Sequence, residues 1–343
     1  MTQAFLDVRD LRVQFPTEDG LVNAVDGVDF SVEKGKTLAI VGESGSGKSV
    51  TSQAIMGLIN RKSAKMTGEV YLEGEELVGA RPEQVRSLRG KRMAMIFQDP
   101  LSSLHPFYTI GKQLAEAVLV HQKVSKSEAY GQARDMLARV GIPNPERRIK
   151  DYPHNLSGGM RQRVMIAMAL ACKPKLLIAD EPTTALDVTI QAQILDLLRE
   201  LVAEENAAMI LITHDLGVVA GTCERVNVMY AGMFMETGSA SQLFARPRHP
   251  YTLGLLQSIP RLDEERPERL IPIEGTPPDQ RRAPVGCPFA PRCAWRLEVC
   301  WTDNPALEPL IRQGWADGVA ALAEGRVRHP SAQARSRRSR SDR

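Results

Sequence analysis

Regular alternation of apolar and polar residues marks the start of the chain. Residues 6–15 alternate in this way, a turn follows at 16–20, and a second alternating stretch occupies 22–32. Because successive side chains of a strand point to opposite faces of a sheet, each stretch predicts a half-buried β-strand. A short apolar stretch at 38–41 predicts a third strand, which runs directly into a glycine-rich loop. We therefore expect an antiparallel sheet beside the site that this loop forms.

Continuous apolar stretches without alternation occur later, at 93–97, 176–179 and 207–213. Such stretches predict parallel strands that are covered on both faces. Apolar residues at helical spacing predict the connecting helices, at 50–59, 114–120, 127–140, 160–171 and 188–203. Further strands are expected at 68–74, 225–230 and 232–238. Alternating strands and helices predict an α/β fold, with a helical segment inserted at about residues 101–155.

The glycine-rich loop has the spacing of a phosphate-binding P-loop. It consists of Gly42, Glu43, Ser44, Gly45, Ser46, Gly47, Lys48 and Ser49, and Val50 follows it. Its glycines let consecutive backbone N–H groups converge on phosphate oxygens, and the positive end of the following helix faces the same anion. Lys48 is predicted to reach the β- and γ-phosphates, and Ser49 to give an oxygen to Mg²⁺. We favour this over a plain Gly/Ser surface loop because strand, helix and Lys-Ser pair occur in the expected order.

Polar residues end or follow the three predicted buried strands. They are Gln98, the pair Asp180 and Glu181, and His214. Sheets of α/β proteins place ligands at the carboxyl ends of their strands. Asp180 and Gln98 are therefore predicted Mg²⁺ ligands, with Gln98 also orienting water. Glu181 is the predicted general base, and His214 is predicted to hydrogen-bond the γ-phosphate.

A second anion-binding pattern begins the helix predicted at 160–171. Ser157 is a favoured N-cap residue, and Gly158 and Gly159 permit a close backbone approach to an anion. One triphosphate needs only one such cradle. Two cradles in one chain therefore suggest that each serves a different nucleotide, one of them bound by a neighbouring molecule.

Composition and charge narrow the classes of function. The 343 residues are 43% hydrophobic and 25% charged, as in ordinary globular proteins. The net charge of +3 arises at the end of the chain, because residues 331–343 contribute +4 and leave −1 for the rest. This balance argues against a globally basic nucleic-acid surface, and no nucleic acid is expected as partner. No apolar stretch approaches the roughly 20 residues of a transmembrane helix, and the first ten residues lack a secretory signal. We expect a cytosolic protein that reaches a membrane only through partners.

These motifs, in this order within residues 1–245, resemble the ATP-binding-cassette (ABC) ATPase family. The matching positions are the P-loop, the Q-loop Gln98, the signature Leu156-Ser-Gly-Gly-Met-Arg-Gln162, the strand ending in Asp180-Glu181, the D-loop Ala185-Leu-Asp187 and the switch His214. The resemblance implies a P-loop NTPase core with an antiparallel β subdomain and a helical subdomain at about 99–165. It further implies a head-to-tail dimer, in which Ser157, Gly158, Gly159 and Asp187 of one chain complete the ATP site of the other. Phe15 falls where the family stacks an aromatic ring on adenine, although a lone aromatic there is more often a core residue.

The region 246–330 resembles the small, irregular C-terminal extension of oligopeptide and dipeptide importer ATPases. The matching segments are 246–260, Gly275-Thr-Pro-Pro, and Gly286-Cys-Pro-Phe-Ala-Pro-Arg-Cys293 with Cys300. The resemblance implies an ATPase at the cytoplasmic face of the inner membrane that powers peptide import. Its implied partners are a second ABC ATPase in a homo- or heterodimer, two transmembrane permease subunits and an extracytoplasmic substrate-binding protein. Importers of nickel, glutathione or another small solute are alternatives, and 331–343 is predicted to be a basic disordered tail.

Three cysteines of the extension raise the question of a metal. Thiolates such as those of Cys287, Cys293 and Cys300 suit iron–sulfur clusters or zinc. Some relatives hold a four-iron (4Fe-4S) cluster here with a fourth cysteine farther on, which this chain lacks. His329 lies near that position. Two interpretations stay open: a cluster with His329 as substitute ligand, or three reduced cysteines in a packed lobe.

Two further classes of function remain as alternatives. One is a soluble, non-transport ABC ATPase acting on nucleic acid or ribosomes. Such proteins insert long coiled coils or zinc modules between P-loop and signature, whereas a compact helical segment separates Lys48 from Ser157 here. The other is an interaction module, in which the cysteine-containing lobe senses redox state or docks a partner.

Overall fold

A computed structural model describes residues 4–184, 186–258, 272–309 and 325–327. The strands are β1 (Leu6–Thr17), β2 (Gly20–Val32), β3 (Thr37–Val41), β4 (Lys65–Leu72), β5 (Glu75–Glu76), β6 (Met93–Ile96), β7 (Leu176–Asp180), β8 (Ala208–Thr213), β9 (Arg225–Tyr230), β10 (Met233–Ser239), β11 (Glu308–Pro309) and β12 (Gly325–Val327). The helices are α1 (Lys48–Ile55), α2 (Pro82–Leu88), α3 (Pro100–Ser103), α4 (Ile110–Leu119), α5 (Lys126–Arg139), α6 (Pro145–Arg148), α7 (Gly158–Leu170), α8 (Val188–Glu204), α9 (Leu216–Val219), α10 (Ala240–Ala245) and α11 (Pro250–Gln257). The predicted α/β class is confirmed.

The first sheet is antiparallel, as the alternating pattern predicts. Its strand order is β2-β1-β4-β5. Strands β1 and β2 form a long hairpin in which Leu6 pairs with Val32 and Phe15 with Val22. The apolar positions of both strands enter a hydrophobic cluster that also contains residues of β3, β7 and β8. This sheet therefore packs directly beside the strand that leads into the P-loop.

The second sheet carries the candidate site. Its order is β11-β12-β10-β9-β3-β8-β7-β6. Strands β9, β3, β8, β7 and β6 are parallel, while β10, β12 and β11 are antiparallel additions. Because the carboxyl ends of parallel strands meet at one edge, β3, β8, β7 and β6 deliver four polar segments side by side there.

Local signals set the helix ends, and several differ from the sequence prediction. The helix expected at 50–59 is α1, which begins at Lys48 and ends at Ile55 because Gly57 follows with a φ of +61°. The helix expected at 114–120 begins at Ile110, where the Thr109 side chain accepts a hydrogen bond from the Lys112 N–H. Helix α5 begins after Ser125, which forms a capping box with Glu128.

The C-terminal region shares the core of the ATPase part. Tyr251, Leu255, Phe289 and Cys293 belong to the same buried cluster as residues of β3, β6, β7 and α7. Strand β12 pairs with β10, so that the extension also adds strands to the central sheet. The sequence patterns did not predict helix α11 or the short strands β11 and β12. A helix capable of crossing a bilayer is absent from the described residues.

Some predictions fall outside the described ranges. Ala185 of the D-loop, His329 and the tail 331–343 belong to this group.

Candidate active site

The P-loop turns tightly because its glycines meet neighbouring backbone. A Cβ added at Gly42 would lie 2.0 Å from the carbonyl oxygen of Met229, and one at Gly47 would lie 2.3 Å from that of Ala24. Gly47 also has a φ of +105° and caps α1. Any larger residue at either position would displace the loop, so both glycines are required by the close approach.

Lys48 occupies the concave side of this loop. Its side chain is buried, and Nζ donates to the carbonyl oxygens of Gly42 at 2.8 Å and Glu43 at 2.9 Å. Desolvation lowers the pKa of Lys48, and the nearby carboxylates of Glu181 and Asp180 oppose that shift. An ammonium bonded only to carbonyl oxygens in a buried site is suited to accept an anion as a further partner.

Ser46 supplies an independent sign that this loop fits phosphate. Its Oγ is buried and has no hydrogen-bond partner among the described residues. A buried hydroxyl without a partner carries a free-energy cost that a bound ligand can remove. The loop therefore holds a preformed polar position for a phosphate oxygen.

Ser49 and Asp180 form the part of the site that fits a divalent cation. Ser49 Oγ donates to Asp180 Oδ1 at 3.0 Å across the gap between α1 and β7. Asp180 is 4% exposed, and burial raises its pKa to about 6 against the opposing effects of Ser49 and Lys48. Oxygen donors of hydroxyl and carboxylate type suit Mg²⁺, whose positive charge would favour the ionised carboxylate.

The raised pKa of Asp180 leads to a stability prediction for the nucleotide-free chain. Because the folded pKa of about 6 exceeds the unfolded value near 4, protonation stabilises the fold below about pH 4, and this contribution is lost as pH rises through about 6. The Asp180→Asn side chain is neutral at every pH. The melting temperature of the variant minus that of wild type should therefore be about 2–4 °C higher at pH 7 than at pH 5. Thermal melts at both pH values measure this gain.

The matched control for that experiment is Asp135→Asn, since the Asp135 side chain is exposed and pairs only with its neighbour Arg134. We expect no pH-dependent gain from it. If the difference in melting temperature between Asp180→Asn and wild type is the same at pH 5 and pH 7, Asp180 does not titrate in this range.

Glu181 is the centre of a polar network at the end of β7. Its Oε2 accepts hydrogen bonds from Gln98 Nε2 at 3.0 Å and from Thr184 Oγ1 at 2.9 Å, while His214 Nδ1 lies 3.3 Å from Oε1. Glu181 has a left-handed φ of +46°, and its N–H donates to the carbonyl of Ile212. A carboxylate held in this way can orient a water molecule and accept its proton. Sequence reasoning named Gln98 and His214 but missed Thr184, which has no distinguishing pattern.

Phe15 pairs across the β1–β2 hairpin with a residue that lines a cavity beside the P-loop. Phe15 is partly buried against the hydrophobic cluster of the first sheet. Its cross-strand partner Val22 lines a cavity of about 420 Å³. The other lining residues are Glu43, Ser44, Gly45, Ser46, Tyr230, Ala231, Pro277, Pro278, Asp279, Gln280 and Arg281. The cavity thus lies between the P-loop and a segment of the C-terminal extension.

The signature segment is arranged as a separate helix N-terminus. Ser157 caps α7 by accepting from the Met160 N–H at 3.4 Å, and Asp187 caps α8 by accepting from the Ile190 N–H at 2.9 Å. A Cβ at Gly159 would lie 3.0 Å from the Ile190 side chain, so the two helix starts pack together. The hydrogen bonds described for Ser157 and Asp187 stay within their own helices.

The cysteines of the extension show no metal-binding arrangement. Cys293 and Cys300 are buried, Cys287 is partly buried, and none forms a disulfide. Burial raises the pKa of the Cys287 and Cys293 thiols, which favours their protonated form. Across the described residues, no three His, Cys, Asp or Glu side chains form a group that could hold a metal ion. These residues therefore do not fit an iron–sulfur cluster in this arrangement.

Three P-loop contacts come from residues to which sequence reasoning gave no role. Arg292 pairs with the Glu43 carboxylate, Tyr251 accepts from the Glu43 N–H, and Gln280 donates to the Gly45 carbonyl. Tyr251 and Arg292 lie in segments that resemble the importer extension, but the sequence of these segments does not show which residues the two side chains contact. The N–H and the carboxylate of Glu43 are therefore both bonded to the C-terminal extension, while its carbonyl accepts from Lys48.

Comparisons with known proteins agree with this geometry. A family model described as ABC transporter matches residues 25–184, and one described as Oligopeptide/dipeptide transporter, C-terminal region matches 235–300. The oligopeptide transport ATP-binding protein OppD of Escherichia coli (strain K12) is 53% identical over 305 residues, which are 89% of this chain and 90% of OppD. The dipeptide transport ATP-binding protein DppD of Bacillus subtilis (strain 168) is 55% identical over 296 residues, 86% of this chain and 88% of DppD.

Among solved structures, a dimeric post-hydrolysis state of the ATP-binding cassette MJ0796 bound to ADP and Pi aligns with a TM-score of 0.62 and 26% identity. The alignment covers 68% of this chain and 98% of MJ0796.

Proposed function

Since the chain belongs to the ATP-binding proteins of oligopeptide and dipeptide ABC transporters, as its motifs indicated, we propose that it hydrolyses ATP to power import of di- or oligopeptides through separate permease subunits. The observation that carries this proposal is the identity of 53–55% to OppD and DppD, which extends over nearly the whole chain. ABC proteins of other transport classes share the core, but the matched C-terminal region at 235–300 is the peptide-type feature.

The positions of the charged and polar groups in the site define their roles in ATP hydrolysis. Lys48 and the backbone N–H groups of the P-loop bind the β- and γ-phosphates, while Ser49, Asp180 and the amide oxygen of Gln98 would hold Mg²⁺. Mg²⁺ supplies positive charge to the phosphate oxygens when it is bound. Glu181 orients water and accepts its proton as the water oxygen attacks the γ-phosphorus. The bond from that phosphorus to the β–γ bridging oxygen breaks, ADP leaves, and His214 hydrogen-bonds the γ-phosphate.

Two chains complete each site in this proposal. Ser157 and Asp187 make their described hydrogen bonds within the first turns of helices α7 and α8, and Gly158 and Gly159 begin α7. A helix N-terminus with exposed N–H groups suits the γ-phosphate of a nucleotide on a facing chain. The solved structure of the similar cassette MJ0796 with ADP and Pi is a dimer, which supports a site formed by two chains. The second chain is a copy of this one or a related ABC ATPase.

The partners extend the proposal to the membrane. Two transmembrane permeases would convert closure of the ATPase dimer into transport, and an extracytoplasmic binding protein would deliver the peptide. The chain would then act at the cytoplasmic face of the inner membrane. ATP and Mg²⁺ are the cofactors on which the activity rests. The four-iron cluster finds no support among the described residues, and His329 lies outside them; iron and sulfide assay of anaerobically purified protein decides it.

Transport measurements in a deletion strain test the proposal. Without this chain, uptake of labelled di- and oligopeptides should be lost while Ni²⁺ uptake continues. Wild type should restore peptide uptake, and Lys48→Ala should not, because the P-loop then lacks its ammonium for the phosphates. Loss of Ni²⁺ uptake with intact peptide uptake would assign the chain to the nickel alternative. If neither uptake changed, the transport role would be wrong and a soluble ABC ATPase would be the better account.

A further inference from the structure

Glu43 of the P-loop forms a bidentate ion pair with an arginine of the C-terminal extension. Arg292 donates from Nη1 to Glu43 Oε2 at 2.6 Å and from Nη2 to Oε1 at 3.0 Å. The Arg292 side chain is 4% exposed and the Glu43 side chain 29% exposed. A bidentate pair whose guanidinium is buried is stronger and has a more defined geometry than an ion pair between two exposed side chains.

The remaining donors of Arg292 fix the guanidinium in place. Nε donates to the carbonyl of Glu274 at 2.9 Å, Nη2 to that of Ile273 at 3.0 Å, and Nη1 to the Tyr230 hydroxyl at 3.3 Å. All N–H groups of the guanidinium therefore have partners. Hydrogen bonding to Glu43 raises the pKa of Arg292 further above its ordinary value, so the charge is permanent. Arg292 thus provides a rigid support for the loop.

A second contact holds the backbone of the same residue. The buried Tyr251 hydroxyl accepts from the Glu43 N–H at 2.9 Å, and its ring packs against Tyr230 and Phe289. Two residues further along the loop, Gln280 Nε2 donates to the carbonyl of Gly45 at 2.9 Å. The extension therefore contacts the P-loop at Glu43 and at Gly45, through side chain and backbone.

The negative charge of Glu43 bears on nucleotide binding, and so does its neutralisation by Arg292. A carboxylate on a phosphate-binding loop repels the triphosphate unless a cation neutralises it. Arg292 supplies this cation for Glu43, because the Lys48 ammonium donates to the carbonyl oxygens of Gly42 and Glu43 and forms no hydrogen bond described with the Glu43 carboxylate. N–H groups bind phosphate well only if the loop already has the bound shape, because otherwise ordering it costs free energy on binding.

We infer that Arg292 and Tyr251 are positioning residues for the ATP site: through Glu43 they hold the P-loop in its phosphate-accepting shape, so that the C-terminal extension sets the affinity for MgATP. The inference rests on the proposed ATPase function and deepens it. Glu181, Gln98 and His214 follow the ends of β7, β6 and β8, and their described contacts do not include Arg292. Removal of Arg292 should therefore act on ATP affinity far more than on the chemical step.

Equilibrium binding of MgATP to the full-length chain, with ATPase rates of the assembled complex, tests this inference. Arg292→Gln should weaken MgATP binding and raise KM about ten- to hundredfold, with kcat at saturating ATP changed less than about threefold. Arg292→Lys should recover part of the affinity, since it restores the charge without the bidentate geometry. The double variant Glu43→Gln/Arg292→Gln should bind MgATP better than Arg292→Gln, because no unpaired carboxylate then faces the phosphates.

The control is Arg296→Gln in the same lobe. Arg296 lies over the Trp301 ring and donates to the Cys293 carbonyl, without a P-loop contact. It should leave KM unchanged. A folded Arg292→Gln chain with wild-type KM, or a double variant no better than the single one, would overturn the inference. If Arg292→Gln does not fold, Tyr251→Phe removes a single oxygen and should still raise KM severalfold; an unchanged KM there also overturns it. A wild-type complex that hydrolyses no ATP would instead refute the proposed function itself.

Discussion

Replacement of Glu181 by Gln is expected to leave ATP binding intact and to slow hydrolysis by about 10²–10⁴-fold. The amide has the size of the carboxylate and keeps an oxygen for the hydrogen bonds from Gln98 and Thr184. It cannot accept a proton from water, so the chemical step loses its base. In the proposed two-chain site, bound ATP closes the dimer and hydrolysis opens it, so the variant should accumulate as a closed dimer. Single-turnover ATP hydrolysis and size-exclusion chromatography with MgATP measure the two effects.

A control carboxylate separates this result from a general charge effect. Glu224 forms a surface ion pair with Lys36 at 3.0 Å, and both side chains are 52% exposed. Glu224→Gln should hydrolyse ATP at the wild-type rate and show no closed dimer. Unchanged turnover of Glu181→Gln would remove Glu181 from the catalytic role and leave the network around it without a function in hydrolysis.

Replacement of Ser157 by Arg is expected to reduce ATP hydrolysis of the assembled complex by about a hundredfold or more, although ATP should still bind to the P-loop of each chain. The reason is geometric: the long side chain would fill the helix N-terminus that is proposed to meet the partner's γ-phosphate, and misplacement of about 1 Å in such a site costs about 10² in rate. ATP binding to the single chain and hydrolysis by the complex are measured in parallel.

The chain offers a matched control for the loss of a helix cap. Ser125 caps α5 by accepting from the Glu128 N–H at 3.2 Å, much as Ser157 caps α7 at 3.4 Å. Loss of such a cap alone costs about 1 kcal/mol of stability. Ser125→Arg should therefore lower stability by a similar amount and leave hydrolysis unchanged. Normal hydrolysis by a Ser157→Arg complex would contradict the two-chain site.

Local patterns account for the parts of the site that could be predicted. The P-loop, Asp180-Glu181, Gln98 and His214 each follow a strand whose apolar pattern is visible in the sequence. Since α/β sheets place ligands at the carboxyl ends of their strands, recognition of the strands was enough to predict roles for these residues, whereas the order β3-β8-β7-β6 that sets them side by side came from the structure. Helix ends were predicted less accurately, because apolar spacing marks only the helix interior. The cap Thr109 sets where α4 begins, and Gly57 with its positive φ sets where α1 ends.

The tertiary structure alone decided which distant residues support the loop. Arg292 and Tyr251 lie 249 and 208 positions from Glu43, and no periodicity or spacing links such positions. Their contacts exist because α11 and the segment around Phe289 pack into the core of the ATPase part, which places a guanidinium and a hydroxyl against the P-loop. The sequence by itself therefore determined the family, the strands and the chemistry at their ends. Side-chain packing between segments far apart in the chain determined that the C-terminal extension holds the phosphate-binding loop.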